Sequence, residues 1–260
     1  MNELEKIVAV TRREVARRQR VVPVAELERT AAERAAAGDL RSFRDAIARP
    51  GLSVIAEHKR RSPSAGVIRD GLALEDVVSA YERGGARALS VLTDGPSFGG
   101  SLADLRAARA AATLPILRKD FIVDSYQLVE SFAAGADAIL LIVAAVSEAE
   151  LTALHGAALA LGLAVLVEVH DERELEVSFA LGAQLVGINN RDLATLTVDI
   201  RRTFELLPRI RGRALVVAES GFSRRGQLDD LTRAGLDGVL VGEALMRAED
   251  IEAACRELAA

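Results

Sequence analysis

Hydrophobic positions in this chain fall in short, nearly unbroken runs, separated by longer stretches in which apolar and polar residues alternate at helical spacing. Four runs open alike: GARALSVLTD from Gly85, GADAILLIVA from Gly135, GAQLVGINN from Gly182 and GLDGVLVGE from Gly235. They recur about every fifty residues, which reads as an internal structural repeat. In each, the glycine fits a helix C-terminus and the apolar run after it fits a buried strand. Between them lie VIAEHK, LPILRKDF, LAVLVEVHD and ALVVAESGF, again apolar runs after helical patterns, so the pattern predicts eight strands. Strands covered on both faces have no polar side to show, which suits a parallel sheet wrapped by helices. The predicted fold class is α/β, a (β/α)8 barrel, whose sites gather at the C-terminal ends of the strands. A doubly wound sheet is the structural alternative, but the first strand is not followed by a G-x-G-x-x-G turn.

The residues before Val54 supply no further strand. They read as one helix from about Glu3 to Arg20, a second from about Ala25 to Ala37 and a shorter one leading to Pro50. Residues 1–50 are therefore taken as a helical extension of one domain spanning 1–260, since no polar, low-complexity linker divides the chain. Arg12, Arg13, Arg17, Arg18 and Arg20 read as a solvated helix face. Half of the 260 residues are hydrophobic, enough for a sizeable core. A net charge of −5 argues against nucleic acid or an anionic membrane as partner. A lone cysteine, Cys255, excludes an internal disulfide and suits a reducing compartment. The N-terminus lacks an apolar signal core, and the run Ala138 to Val146 falls short of the ~20 residues a membrane helix needs, so the expected location is the cytoplasm.

Candidate chemistry sits where the strands run out. Along VIAEHK, alternation puts Glu57 and Lys59 on one face and His58 on the other, just before a Ser-Pro-Ser-Ala-Gly loop. Buried strands rarely carry charge for packing reasons alone. The other predicted ends bear Thr93 and Asp94, Lys119 and Asp120, Glu168, Asn189 and Asn190, and Glu219 and Ser220. In a closed barrel these converge on one mouth, where lysines and carboxylates in partial burial can exchange protons, so general acid and base catalysis is the leading class.

The last two ends add glycine: Glu219-Ser-Gly-Phe222 and Val241-Gly-Glu-Ala-Leu-Met246. Loops after the seventh and eighth strands of such barrels commonly hold phosphate through backbone N–H groups, and Arg191 is placed to clamp a phosphate or carboxylate. His58 and His170 read as pointing outward and His155 as helical; no pair has metal-ligand spacing, so no metal site is expected. Neither a nucleotide loop nor a flavin pattern is present, and no organic cofactor is expected.

The strings VIAEHKRRSPSAG, LSVLTDGPSFGGS, LPILRKDFIVDSYQ, GADAILLIVA, LVEVH, VGINNRDL, VAESGF and VGEALM, in order from about Gly51, resemble the indole-3-glycerol phosphate synthase family of tryptophan biosynthesis. The resemblance implies a decarboxylating carbon–carbon lyase that closes 1-(2-carboxyphenylamino)-1-deoxyribulose 5-phosphate to an indole with loss of carbon dioxide and water, without a cofactor. It implies that Lys119 is the principal general acid on the sugar carbonyl and that Lys59 helps to hold the substrate's anionic groups. Glu168 becomes the base for later proton removal, with Glu57 and Asn189 positioning the lysines and sugar hydroxyls. Ser220, Gly221 and Gly242 fall on the phosphate motifs, Phe98, Phe121 and Leu140 on an apolar wall, and Ser62 and Arg191 near the carboxylate or phosphate. The partner is thus a small phosphorylated substrate, and association with other tryptophan-pathway enzymes is left open.

Three positions depart from the commonest pattern: His58 stands for an apolar residue, Ala65 for a lysine, and Glu243 follows the phosphate-motif Gly242, so it must turn away from a bound dianion. Two other readings stay open. Phosphoribosylanthranilate isomerase handles a neighbouring substrate, but needs a cysteine at a strand end where this chain has none. A barrel that binds a phosphorylated ligand without turnover would have no need of Lys59, Lys119 and Glu168 together.

Overall fold

Eight strands close on themselves in the computed structural model, which describes residues 2–192 and 195–260. They are β1 (Ser53–His58), β2 (Ala88–Leu92), β3 (Ile116–Lys119), β4 (Ala138–Ile142), β5 (Ala164–Val169), β6 (Leu185–Asn189), β7 (Leu215–Glu219) and β8 (Gly238–Val241). All pairings are parallel, and β1 joins β8 through Ser53 opposite Gly238, closing the (β/α)8 barrel expected from the sequence.

The repeat has a structural cause. Gly85, Gly135, Gly182 and Gly235 lie at φ +91°, +101°, +73° and +83°, the left-handed turn that ends a helix before the next strand. Two aspartates that follow such glycines do the same work in different repeats. Asp137 accepts the Ile116 N–H at 2.9 Å, and Asp237 accepts that of Val216 at 2.7 Å, so each satisfies an amide at the start of the preceding strand.

Alternation sorts the strand residues into two cores. Outward positions such as Val91, Ile139, Val167 and Ile188 pack under the helices, whereas Ile55, Leu117, Leu140, Leu166, Val217 and Leu240 fill the barrel. Carried two residues further, the inward parity delivers Glu57, Lys119, Glu168, Asn189 and Glu219 to the mouth.

The N-terminal helices are α1 (Glu3–Val21), α2 (Val24–Ala37) and α3 (Phe43–Ile47), close to the expected bounds. Phe43 and Ile47, 1% and 0% exposed, join the interior cluster, each burial contributing about 1.5–3 kcal/mol. Arg34 of α2 donates to Asp137 at 2.8 Å and to the carbonyls of Phe132 and Ala136, and its guanidinium lies over the Phe132 ring.

Contrary to the expectation of a solvated face, part of the arginine stripe on α1 is engaged by the barrel. Arg12 reaches the Val123 carbonyl at 3.3 Å and Glu150 at 2.9 Å, and Arg18 forks onto buried Glu130 at 2.8 and 3.2 Å. The signal was present: Arg18 follows the buried Thr11 and Val15 at helical spacing.

After β1, the expected loop forms a small hairpin in which Arg61–Ser62 pairs antiparallel with Gly66–Val67. Arg60 anchors it by a two-pronged contact with Asp104 at 2.8 and 2.6 Å.

Candidate active site

A cavity of about 470 Å³ opens at the C-terminal ends of the strands; every residue that the family resemblance assigned to the site lines it, whereas Thr93 and Asn190, expected at the same mouth, are turned away, Thr93 to Arg118 and Asp120 and Asn190 to Thr203. Glu57, Lys59, Lys119, Glu168, Asn189 and Ser220 meet there with Ser62, Phe98, Phe121, Leu140, Arg191, Gly221 and Gly242. Phe98 and Phe121 face each other with ring centroids 6.3 Å apart, forming an apolar wall with Leu140.

The floor is ionic. Lys59 Nζ lies 2.9 Å from Glu57 Oε1, and the other Glu57 oxygen accepts from Ser90 Oγ at 3.3 Å. Lys119 Nζ stands between two acids, 3.5 Å from Glu168 Oε2 and 3.2 Å from Glu219 Oε2. Asn189 Nδ2 donates to Glu168 Oε1 at 3.0 Å. Both lysines keep some solvent contact while all three acids are buried.

The fields differ from acid to acid. Burial disfavours the Glu168 carboxylate, but Lys119 and then His170 outweigh it and hold its pKa down to about 2. Glu57 is likewise lowered, Lys59 and Lys119 overcoming burial. Glu219 goes the other way, to about 7: burial is the main cause, and the charges of Glu168 and Glu57 add to it against the pull of Lys119. Lys119 is raised, since three carboxylates outweigh its own burial.

At the opposite end, Ser220 and Gly221 both have positive φ, +65° and +91°. A serine there is strained, by about 1–2 kcal/mol; the turn is steadied by Asn190 Nδ2, which donates to the Ser220 carbonyl at 3.0 Å. A Cβ on Gly221 would lie 2.7 Å from Ile200 and 2.8 Å from Val198, so glycine lets the preceding loop close against this turn. At Gly242 the neighbour is an acid: a Cβ would come within 2.6 Å of Glu57 Oε1, and at Gly187 it would fall on the Glu219 carboxylate. Gly242 therefore makes room for Glu57 besides lining the cavity. Glu243 lines the same cavity but is drawn to Arg247 at 2.9 Å. Arg191 donates to the Leu196 carbonyl at 2.9 Å, with its amide bound to Asn189 Oδ1.

Three features exceed the expectation. Glu219 was marked as a strand end without a role, yet it contacts Lys119. His170 was read as outward, but it lies two residues beyond Glu168, on the same side, with Nε2 3.4 Å from Glu168 Oε1. Glu3, Leu4 and Ile7 of α1 line the cavity, so the N-terminal extension is part of its wall. His58 is buried away from the cavity and pushed down to about 4, by burial first and the Arg60 charge second. Among the described residues, no group of three or more His, Cys, Asp or Glu is placed to hold a metal ion, and no helix is long and apolar enough to cross a membrane.

A family model described as indole-3-glycerol phosphate synthase matches residues 4–258, so the likeness runs through the N-terminal helices as well as the barrel. The chain belongs to the indole-3-glycerol phosphate synthase family. An indole-3-glycerol phosphate synthase of Burkholderia vietnamiensis is 46% identical over 257 residues, covering 96% of each chain. One from a Nocardioides species is 48% identical over 261 residues, covering 99% of this chain and 98% of that one. Among solved structures, 3-hexulose-6-phosphate synthase from Salmonella typhimurium superposes with a TM-score of 0.63 at 18% identity, over 80% of this chain and 97% of that one. A mutant tryptophan synthase alpha-subunit from Pyrococcus furiosus gives 0.62 at 17%, over 79% and 97%. These two likenesses show the barrel fold. The family carries the enzyme class with it, a decarboxylating lyase of tryptophan biosynthesis acting on a phosphorylated small molecule.

Proposed function

We propose that this cavity closes 1-(2-carboxyphenylamino)-1-deoxyribulose 5-phosphate to indole-3-glycerol phosphate, with Lys119 as acid and Glu168 as late base. The observation that carries the assignment is Lys119 Nζ held between Glu168 and Glu219 on the cavity floor. A lysine kept charged in this way can give a proton to the sugar carbonyl oxygen as the aromatic carbon attacks the carbonyl carbon. The carboxylate then leaves as carbon dioxide, and its bonding electrons restore the ring. The new hydroxyl departs as water with a proton from an ammonium, and Glu168 takes the proton whose loss completes the indole.

The remaining residues divide the substrate between them. Phe98, Phe121 and Leu140 take the aromatic ring. Ser220, Gly221 and Gly242 take the phosphate, with Ser62 and Arg191 close to it or to the carboxylate. Lys59 holds anionic groups, while Glu57 and Asn189 orient the lysines and sugar hydroxyls. Residues 1–260 act as one domain in this reading, supported by Leu4, Phe43 and Ile47 sharing the barrel's interior cluster. The cytoplasm is the proposed location, which suits a single buried cysteine.

Purified protein mixed with this substrate in the presence of a chelator should develop indole fluorescence. Tight binding without fluorescence would favour a non-catalytic barrel, and activity restored only by one added metal would overturn the cofactor-free reading. A dephosphorylated substrate should lose much of kcat/KM, because the phosphate anchors the reacting centre from a distance.

A further inference from the structure

Glu168 has two oxygens in different company. Oε2 faces Lys119 at 3.5 Å, toward the cavity; Oε1 accepts from Asn189 at 3.0 Å and is met from behind by His170 Nε2 at 3.4 Å. On the far side of the imidazole, Glu174 Oε2 accepts the His170 backbone N–H at 2.7 Å and lies 3.0 Å from Nδ1. Glu174 is fixed in turn, one turn into the helix Glu172–Ala180, whose Asp171 cap accepts the Glu174 amide at 2.8 Å.

Each imidazole nitrogen thus meets a carboxylate. A neutral ring can donate from one nitrogen only. With Nδ1–H held by Glu174, a neutral His170 would turn a lone pair toward Glu168 Oε1, whereas an imidazolium presents an N–H to each carboxylate. His170 Nε2 is buried and, although 3.4 Å from Glu168 Oε1, makes no aligned hydrogen bond.

We propose that His170 is a positioning residue for the ring closure: as an imidazolium fixed by Glu174, it keeps the Glu168 carboxylate ionised and turned toward Lys119. This rests on the reading of Glu168 as the late base. Geometry and field agree, for burial alone would lower the basicity of His170, but Glu168 and Glu174 raise it to about 10. The charged groups around the pair are Glu174 from the helix, Lys119 from β3, and beyond it Glu219 from β7 and Glu57 from β1. Asn189 and the Arg202 guanidinium on its carbonyl face it from the side of β6. The 3-10 turn Val143–Ala145, packed against β5, carries no titratable side chain.

The test is the pH dependence of kcat in the full-length enzyme. In His170→Gln, the acid limb should move up by about one pH unit or more, the usual effect of removing an opposite charge within a few ångströms, with KM changed far less than kcat at low pH. In Glu174→Gln, which leaves the histidine in place, the alkaline limb should fall earlier, because His170 would lose its proton nearer its ordinary pKa of about 6.5. A drop in kcat by one constant factor at every pH in both variants would mean that His170 only packs the strand end, and would overturn the proposal. Glu168→Gln separates the two layers of argument. Near-normal turnover there removes Glu168 as the base, whereas impaired Glu168→Gln beside an unshifted His170→Gln removes only the role of His170.

Discussion

Two clusters of buried charge stand back to back on the end of β3. Lys119 looks into the barrel, while its neighbours Arg118 and Asp120 look out toward the helix Ser125–Ala133. In the outer cluster every charge is answered. Arg118, 1% exposed, donates to Asp120 at 2.8 Å, Ser131 Oγ at 3.0 Å and Thr93 Oγ1 at 2.9 Å, and pairs with Glu130 at 3.0 Å; Arg18 of α1 closes the chain onto Glu130. In the inner cluster the contacts of Lys119 are longer, and neither oxygen of Glu219 makes an aligned hydrogen bond. The ingredients are the same, and saturation separates them. Ion pairs with filled hydrogen-bonding capacity have nothing left for a ligand, whereas unsatisfied buried groups carry a cost that a bound substrate can relieve.

The largest contrast should come from the pair Lys119→Ala and Arg118→Met. Lys119→Ala should lower kcat by about 10²- to 10⁴-fold, the range for a positioned acid, at a smaller cost in stability than Arg118→Met, because its contacts are longer and Glu219 can take up a proton in its place. Arg118→Met leaves Asp120 and Glu130 without their buried partner and should cost about 3–5 kcal/mol of stability in urea unfolding, the folded fraction keeping most of its kcat. The reverse outcome, a stable Arg118→Met with dead chemistry, would erase the distinction.

Glu219→Gln sharpens the comparison from inside the cavity. The folded-state pKa of Glu219 lies above its reference value of 4.5, at about 7. Between those values the folded protein holds a proton that the unfolded chain has released, so wild-type stability falls as pH rises through this window. Glutamine cannot ionise. The Tm of Glu219→Gln relative to wild type should therefore climb from pH 4.5 to 7 and level off above; a flat difference would mean that the acid is ionised throughout. The smallest effect belongs to Arg12→Ala, which removes a half-exposed pair with Glu150 and should shift stability by under ~1 kcal/mol with kcat unchanged.

What could be read in advance follows from the range of the signal. The eight strands were legible because each is a local apolar run ended by its own punctuation, and the inward acids because parity is counted within one strand. The importance of Glu219 was not legible, since it depends on Gly187 of β6 and Lys119 of β3 leaving and filling space beside it. His170 was misread as outward although two-residue parity places it with Glu168. The part α1 plays in the cavity wall depends on Leu4 docking into the barrel cluster from far away in sequence, which no window around residues 3–7 reveals. The hairpin after β1 is short and polar, with too little periodicity to separate it from a loop.

Gly187 and Gly242 have a consequence for how such a barrel can drift. Neither has a functional group, yet the volume each leaves empty is where an acid of the adjoining strand lies: Glu219 beside one, Glu57 beside the other. Even a methyl group at either position would push a carboxylate off its lysine while leaving the lysine itself intact. In a saturation library selected for tryptophan prototrophy, these two sites should tolerate as few replacements as Lys119, and a second mutation that shortens the displaced acid to aspartate is the natural place to look for recovery.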